Sequence, residues 1–175
     1  MIVVTRSGRF LDCNNPNPAD IQPADIAYQL EYTYRWRAAT IRPLSVAEHS
    51  IWVALAVSPE NQLAALLHDA AEAFMSDVPT PIKKHCHSYM SIEANLLGAI
   101  LERFGLPPEL PQEVLEADFR MACTEKAKLL PAHVQSHPSW SHMEGAPIYE
   151  GIDFGSFEYK PGMFLETLEM MRHAA

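Results

Sequence analysis

The stretch Leu67-His68-Asp69-Ala70-Ala71-Glu72 sets a histidine beside an aspartate inside residues 62–74, a run that is otherwise rich in alanine and leucine. Such a run predicts a buried helix. Burying an imidazole and a carboxylate there is costly unless a partner compensates for the lost hydration. On a helix, Glu72 shares the face of His68 and Asp69, because it follows them by four and three residues. A bound metal ion is the simplest partner for three ionisable side chains that converge on an apolar helix.

The composition predicts a single globular domain over residues 1–175, with 48% hydrophobic and 20% charged residues. A net charge of −9 argues against a nucleic-acid polymer as partner, since such binding depends on neutralising phosphates. We expect no membrane partner, because no apolar run is long enough to span a bilayer and no signal peptide is recognisable. Three scattered cysteines without a CxxC pair, Cys13, Cys86 and Cys123, predict reduced thiols and a cytoplasmic protein.

The hydrophobic periodicity predicts an all-α helical bundle with a small N-terminal β-hairpin, whose strands flank Arg6-Ser7-Gly8. One helix should begin at a capping box, Ser45-Val46-Ala47-Glu48. Residues 131–160 show no period, so they predict a long loop, which could serve as a lid. The predicted helices cover residues 23–34, 45–55, 62–75, 91–104, 112–130 and 162–172.

Four ionisable residues in predicted helices form a candidate metal-binding set: His49, His68, Asp69 and Asp118. Imidazole and carboxylate ligands suit a divalent ion such as Zn²⁺, Co²⁺ or Mn²⁺, leave Mg²⁺ open, and do not suggest a soft thiolate site. A divalent ion lowers the pKa of a bound water and can bind a phosphoryl oxygen. Glu72 and Asp77 are then candidates for orienting or deprotonating that water.

The order of these residues resembles the HD-domain metal-dependent phosphohydrolases, and the resemblance covers roughly residues 5–130. Residues 42–50 resemble the segment that carries the first metal histidine, and residues 66–83 resemble the central motif of the nucleotide-hydrolysing branch. Residues 116–125 resemble the helix of the last ligand. Residues 5–9 and Asp25-Ile26-Ala27 are similar to small phage and bacterial members.

The resemblance implies a helical bundle around one or two divalent ions, with Glu72 and Asp77 in the roles of the acidic residues that follow the HD pair. It also implies that Arg35 and Trp36 match an Arg-Trp pair that contacts substrate. Small phage members include dATP triphosphohydrolases, which release deoxyadenosine and triphosphate and deplete the dATP pool of the host cytoplasm. Relatives of this kind are usually homo-oligomers, so we expect the same here.

Further candidate substrate contacts are cationic or aromatic. Lys83 and Lys84 could bind phosphate or could simply complement a helix dipole. Lys126 is a weaker phosphate candidate on the helix of Asp118, and Trp36 offers a platform for a base or sugar. Three functions stay open: a dNTP triphosphohydrolase that prefers dATP, a 5′-deoxynucleotidase that hydrolyses dNMPs, and a non-catalytic nucleotide- or metal-binding HD protein.

Overall fold

The computed structural model describes residues 1–174 and confirms an all-α fold with an N-terminal hairpin, with 57% of the chain helical. The hairpin strands are β1 (Ile2–Val4) and β2 (Phe10–Asp12). The α-helices within residues 1–174 are α1 (Pro23–Glu31), α2 (Val46–Leu55), α3 (Gln62–Leu67), α4 (Glu72–Met75), α5 (Thr80–Lys83), α6 (His87–Arg103), α7 (Gln112–Leu129), α8 (Ala132–Gln135) and α9 (Met163–Ala174).

The hairpin is antiparallel, with Val3 opposite Leu11, and Gly8 adopts the positive φ that its turn requires. Ser7 fastens this turn to α1. Its backbone N–H donates to Oδ1 of Asp25 at 2.7 Å, and its hydroxyl donates to Oδ2 of the same residue at 2.8 Å. The hairpin is therefore docked on the bundle through the buried carboxylate of Asp25.

Helix α2 lies at the centre of the bundle and packs against α1, α3, α7 and α9. Its first six residues, 46–51, are all buried. Ser45 caps it as predicted, since the Ser45 hydroxyl accepts the Glu48 N–H at 3.1 Å. The other hydrogen bond of a capping box, from the Ser45 N–H to the Glu48 carboxylate, was predicted wrongly, because the Glu48 carboxylate pairs with Arg42 instead. This central position buries His49 among helices that carry the other candidate ligands.

The predicted helix over residues 62–75 is wrong as one continuous element. Helix α3 ends at Leu67 and α4 begins at Glu72. In the turn between them, N–H groups bond to carbonyls three residues back, as in Glu72 N–H to Asp69 O at 3.0 Å. The His68 ring contributes to the break, because its Nδ1 lies 2.7 Å from the Ala65 carbonyl oxygen. In a continuous helix that oxygen would accept the Asp69 N–H instead.

Residues 131–160 are mostly irregular, as predicted, but they also contain α8 and a short 3₁₀ helix, Pro138–Met143. Side chains from other parts of the protein donate hydrogen bonds to backbone carbonyl oxygens of this segment. Arg42 donates to Phe154 O at 2.8 Å, and Arg120 donates to Ile148 O at 3.0 Å. Whether the segment acts as a lid remains a prediction.

The three cysteines are free thiols, and two of them are buried. Within residues 1–174, none of the helices combines the length and the apolar character that a membrane span requires.

Candidate metal centre

The structure brings the four predicted ligands together from three elements. Helix α2 supplies His49, the turn after α3 supplies His68 and Asp69, and α7 supplies Asp118. One potential ligand atom of each lies within 4.8 Å of all the others. The closest approaches are 3.1 Å between His49 Nε2 and Asp118 Oδ1, and 3.2 Å between His68 Nε2 and Asp69 Oδ2. This group could hold a metal ion, and its geometry does not identify which one.

The outward ring nitrogens of both histidines face acceptors. His49 Nδ1 lies 2.5 Å from a Glu125 carboxylate oxygen, and His68 Nδ1 lies 2.7 Å from the Ala65 carbonyl. Each Nδ1 must therefore carry a hydrogen, so in the neutral rings the Nε2 lone pairs point into the cluster. The two Nε2 atoms are only 3.3 Å apart. Two lone pairs beside two carboxylates repel one another unless a cation lies among them, which fits a metal site.

The surrounding charges also fit a bound cation. Three further carboxylates, those of Glu72, Asp77 and Glu125, exert a field on the cluster, whereas the nearby cationic side chains are Arg35 and Lys83. Burial opposes ionisation of Asp69, but His68 outweighs it and lowers the pKa of Asp69 to about 2. The three carboxylates whose pKa is lowered, those of Asp69, Asp118 and Glu125, therefore already outnumber the two cations, and a divalent ion would offset the excess negative charge.

Protonation of His68 is the alternative means of balancing this charge. Burial favours the neutral imidazole, but Asp69 and Asp118 outweigh it and raise the pKa of His68 well above its ordinary value of 6.5. A proton and a metal ion would therefore compete for the same nitrogen.

Arg35 and Trp36 lie beside the cluster in a turn, residues 35–38, whose backbone is left-handed at Trp36 and Arg37. The Arg35 guanidinium pairs with Asp69 at 3.3 Å and with Glu125 at 3.0 Å. The Trp36 indole N–H donates to Glu125 at 2.8 Å, and its ring meets that of Trp140 edge to face, with centroids 5.6 Å apart. Both residues thus lie next to the candidate ligands, and both donate hydrogen bonds to acidic side chains of the site.

Glu72 is a buried carboxyl group that feels the charge of Asp69, and one of its oxygens has no hydrogen-bond partner among the described residues. Its other oxygen lies 3.6 Å from Lys83 Nζ, and Lys83 also pairs with Glu93 at 2.8 Å. Burial, reinforced by Asp69 and Asp77, raises the pKa of Glu72 well above its ordinary value. The pKa of Asp77 is raised as well, first by its own burial. Both carboxyls can therefore hold a proton nearer to neutral pH than ordinary acidic residues.

The two remaining predicted contacts lie elsewhere. Lys84 is exposed. Lys126 lines a separate cavity with Cys123 and Gln135, and none of its contacts among residues 1–174 is a hydrogen bond or an ion pair to the cluster.

Sequence reasoning missed Glu125, which contacts His49, Arg35 and Trp36 at once. Its signal was available in the spacing, because Glu125 follows Asp118 by seven residues and so lies two helical turns further along the same face of α7.

No protein-family model matches the chain. The chain is 32% identical over 168 residues to the uncharacterized protein YfdR of Escherichia coli strain K12, a match that covers 94% of this chain and 92% of YfdR. The chain belongs to the YfdR family. An uncharacterized protein of Rhodobacter capsulatus is 39% identical over 133 residues, which cover 70% of this chain and 67% of that protein. Membership in the YfdR family thus rests on a match along nearly the whole of both chains. The names of these relatives state no activity, so any inference about a reaction depends on the residues of the site.

Proposed function

We propose that the protein is an HD-type metal-dependent phosphohydrolase of deoxynucleotides, which hydrolyses dATP to deoxyadenosine and triphosphate. The convergence of two imidazole nitrogens and two carboxylates around one point carries the proposal. The buried, unpartnered oxygen of Glu72 beside that point, in a chain whose motifs resemble the HD phosphohydrolases, adds the group that such a reaction needs to move a proton.

His49, His68, Asp69 and Asp118 would hold the ion. When bound, a divalent ion of this kind supplies Lewis acidity to a phosphate oxygen and to water. Zn²⁺, Co²⁺, Mn²⁺ and Mg²⁺ are all candidates for a mixed nitrogen and oxygen ligand set.

The chain's own groups account for the proton movements. A water oxygen forms the new bond to the α-phosphorus and gives up one proton, the bond from that phosphorus to O5′ breaks, and a proton passes to O5′ in exchange. Glu72 holds or moves this proton at its free oxygen, since its raised pKa lets it keep a proton more readily than an ordinary glutamate does. Asp77 assists by its negative field on Glu72.

Arg35 and Lys83 would meet the phosphate charge. Arg35 uses Nε and Nη1 for its acidic partners, while its Nη2 makes no hydrogen bond within the described part of the chain. Guanidinium N–H groups donate well to phosphate oxygens, so Arg35 can keep its acidic partners and still donate from Nη2 to a substrate phosphate. Trp36 would offer its ring face to the base or sugar.

One observation favours a second candidate, a 5′-deoxynucleotidase acting on dNMPs. The cationic side chains beside the cluster, Arg35 and Lys83, already pair with acids, whereas Lys84 and Lys126 lie away from it. A monophosphate demands fewer cations than a triphosphate, so this supply suits the smaller charge.

Product analysis separates the candidates. The protein is incubated with the four dNTPs and the four dNMPs in the presence of Co²⁺, Mn²⁺, Zn²⁺ or Mg²⁺, and the products are resolved by anion-exchange chromatography. Triphosphate from dATP supports the first function, and orthophosphate from dAMP the second. No turnover of any nucleotide with any of these metals would overturn both and leave a non-catalytic binding protein.

Glu72→Gln tests the proton-transfer role. We expect the turnover rate to fall by roughly 100- to 10,000-fold, because the amide keeps the shape but cannot exchange the proton. The affinity for metal should stay close to that of the wild type, since Glu72 is outside the ligand group. The exposed Glu116→Gln on α7 is the control, and a Glu72→Gln protein with wild-type turnover would rule out this role.

A further inference from the structure

Glu125 joins two parts of the site through one carboxylate. It is fully buried on α7. One oxygen faces His49 Nδ1 at 2.5 Å, and the other accepts from both Arg35 Nε at 3.0 Å and Trp36 Nε1 at 2.8 Å. Three donors from two separate segments thus converge on a single acidic group.

We propose that Glu125 is a positioning residue that couples the metal ligand His49 to the turn carrying Arg35 and Trp36, so that metal binding and the order of this turn reinforce each other. The proposal rests on the metal-binding part of the proposed function and is independent of whether a nucleotide is hydrolysed.

On the histidine side, the carboxylate fixes the ring. By accepting from Nδ1 it selects the tautomer whose Nε2 faces the cluster, and it makes that nitrogen a stronger ligand. The second candidate ligand, His68, has a backbone carbonyl in the same place, which carries no charge and cannot move as a side chain does. Of the two histidines, His49 is therefore the one oriented by a side chain that also contacts the turn carrying Arg35 and Trp36.

On the turn side, the same carboxylate holds a backbone that is costly to form. Trp36, Arg37 and Ala38 have φ values of 55°, 52° and 58°, the left-handed region that residues with a Cβ avoid. Such conformations persist only where the surroundings impose them. The two part-buried hydrogen bonds from Arg35 and Trp36 to Glu125 join the start of this turn to α7.

The chemistry of the carboxylate explains why the coupling needs a glutamate. A carboxylate accepts at both oxygens, so it can serve His49 with one and the turn with the other. A glutamine of the same shape has one accepting oxygen and one donating NH₂ group, so it must present a donor to donors on one of the two sides. Coupling between two sites is reciprocal, so disturbing either side must be felt at the other.

Glu125→Gln tests this proposal by two readouts that do not involve turnover. Cobalt affinity is measured from the visible absorption of Co²⁺, and the three indole N–H signals are followed by ¹⁵N-resolved NMR with and without Zn²⁺. We expect Glu125→Gln to weaken cobalt binding by roughly 10- to 100-fold. The Trp36 indole signal should shift on adding Zn²⁺ to the wild type and should lose that response in the variant.

Glu48→Gln is the matched control, because Glu48 is also a buried glutamate paired with an arginine, Arg42, at 2.6 Å but faces away from the cluster. It should leave both readouts unchanged. Wild-type cobalt affinity in Glu125→Gln, or a Trp36 signal that still responds to Zn²⁺, would overturn the proposal. Failure of the wild type to bind Co²⁺ or Zn²⁺ would overturn it as well, whereas metal binding without nucleotide hydrolysis would overturn only the proposed function.

Trp36→Phe provides the reverse test and covers the case in which Glu125→Gln does not fold. It removes the indole donor without touching any candidate metal ligand, so cobalt affinity should fall about fivefold or more if the two sides are coupled. Trp52→Phe is its control, since the Trp52 indole nitrogen has no hydrogen-bond partner among the described residues. Equal cobalt affinities in these two variants would contradict the coupling.

Discussion

Nε2 of His49 lies 3.1 Å from Oδ1 of Asp118, although 69 positions separate the two residues in the chain. Packing of α2 against α7 creates this contact. It places a fully buried imidazole against a carboxylate that is itself close to His68 and Asp69. Concentrating these groups in the interior lowers the stability of the metal-free fold, so the arrangement is better explained by ion binding than by structural support.

Replacing His68 or Asp69 by alanine should abolish metal binding. We expect the affinity for Co²⁺ to fall by at least about 100-fold, because the loss of a ligand should exceed the 10- to 100-fold effect of losing a residue that merely orients one. Cobalt titration followed by absorption, together with the nucleotide assay, measures the effect. The exposed His133→Ala is the control. A His68→Ala or Asp69→Ala protein with full metal content and activity would show that the cluster is not the metal centre.

The stabilisation of the protein by metal should grow with pH. The folded-state pKa of His68 is raised, so protonating this residue stabilises the metal-free fold below its ordinary pKa of 6.5, and that contribution is lost as pH rises through the folded-state pKa. A metal ion requires the neutral ring and competes with the proton. The increase in melting temperature on adding Zn²⁺ should therefore be larger at about pH 9 than at about pH 6. An increase that does not change over this range, measured by scanning fluorimetry, would contradict the assignment of His68 as a ligand.

Two adjacent lysines should differ in their effect on the reaction. Lys83 is half-buried beside Glu72, whereas Lys84 is exposed. Lys83→Ala should raise KM for the nucleotide by roughly 10- to 100-fold, the value of a charge-assisted hydrogen bond of about 1.5–3 kcal/mol. Lys84→Ala should leave KM within about twofold, in line with the small effect of an exposed charge. Initial-rate kinetics on dATP and dAMP make the comparison, and equal effects of the two substitutions would remove Lys83 from the substrate contacts.

Glycine should stabilise the turn at one position and not at the next. Ala38 has a φ of 58°, whereas its neighbour Ala39 has a φ of −80°, and both are exposed. Ala38→Gly should raise the free energy of unfolding by about 1 kcal/mol, since the left-handed conformation costs about 1–2 kcal/mol for a residue with a Cβ and glycine loses part of that gain to chain entropy. Ala39→Gly should be neutral or destabilising by up to about 1 kcal/mol. Urea unfolding of the two variants measures the difference, and a less stable Ala38→Gly protein would show that the turn is not strained.

Structural features that depend on neighbouring residues, such as helix bounds and caps, were predicted correctly from the sequence in several places. The spacing of apolar residues predicted α7 over 112–130, and it spans Gln112–Leu129, because one helix face must be buried wherever the helix packs. The cap at Ser45 was equally local. The helix over 62–75 failed for a reason outside the periodicity: a His68 side chain competes with the backbone for the Ala65 carbonyl.

The helical class, the order of the elements and the chemical types of the candidate ligands all follow from the order of the amino acids, since apolar periodicity and residue identity need no knowledge of distant contacts. Which atoms contact one another is set by the packing of the helices in three dimensions. This packing turned the Nε2 atoms of His49 and His68 toward two carboxylates, tied Arg35 and Trp36 to Glu125, and set Lys126 in a separate cavity. These outcomes depend on how α2, α3 and α7 pack, and packing joins residues whose separation along the chain carries no local signal.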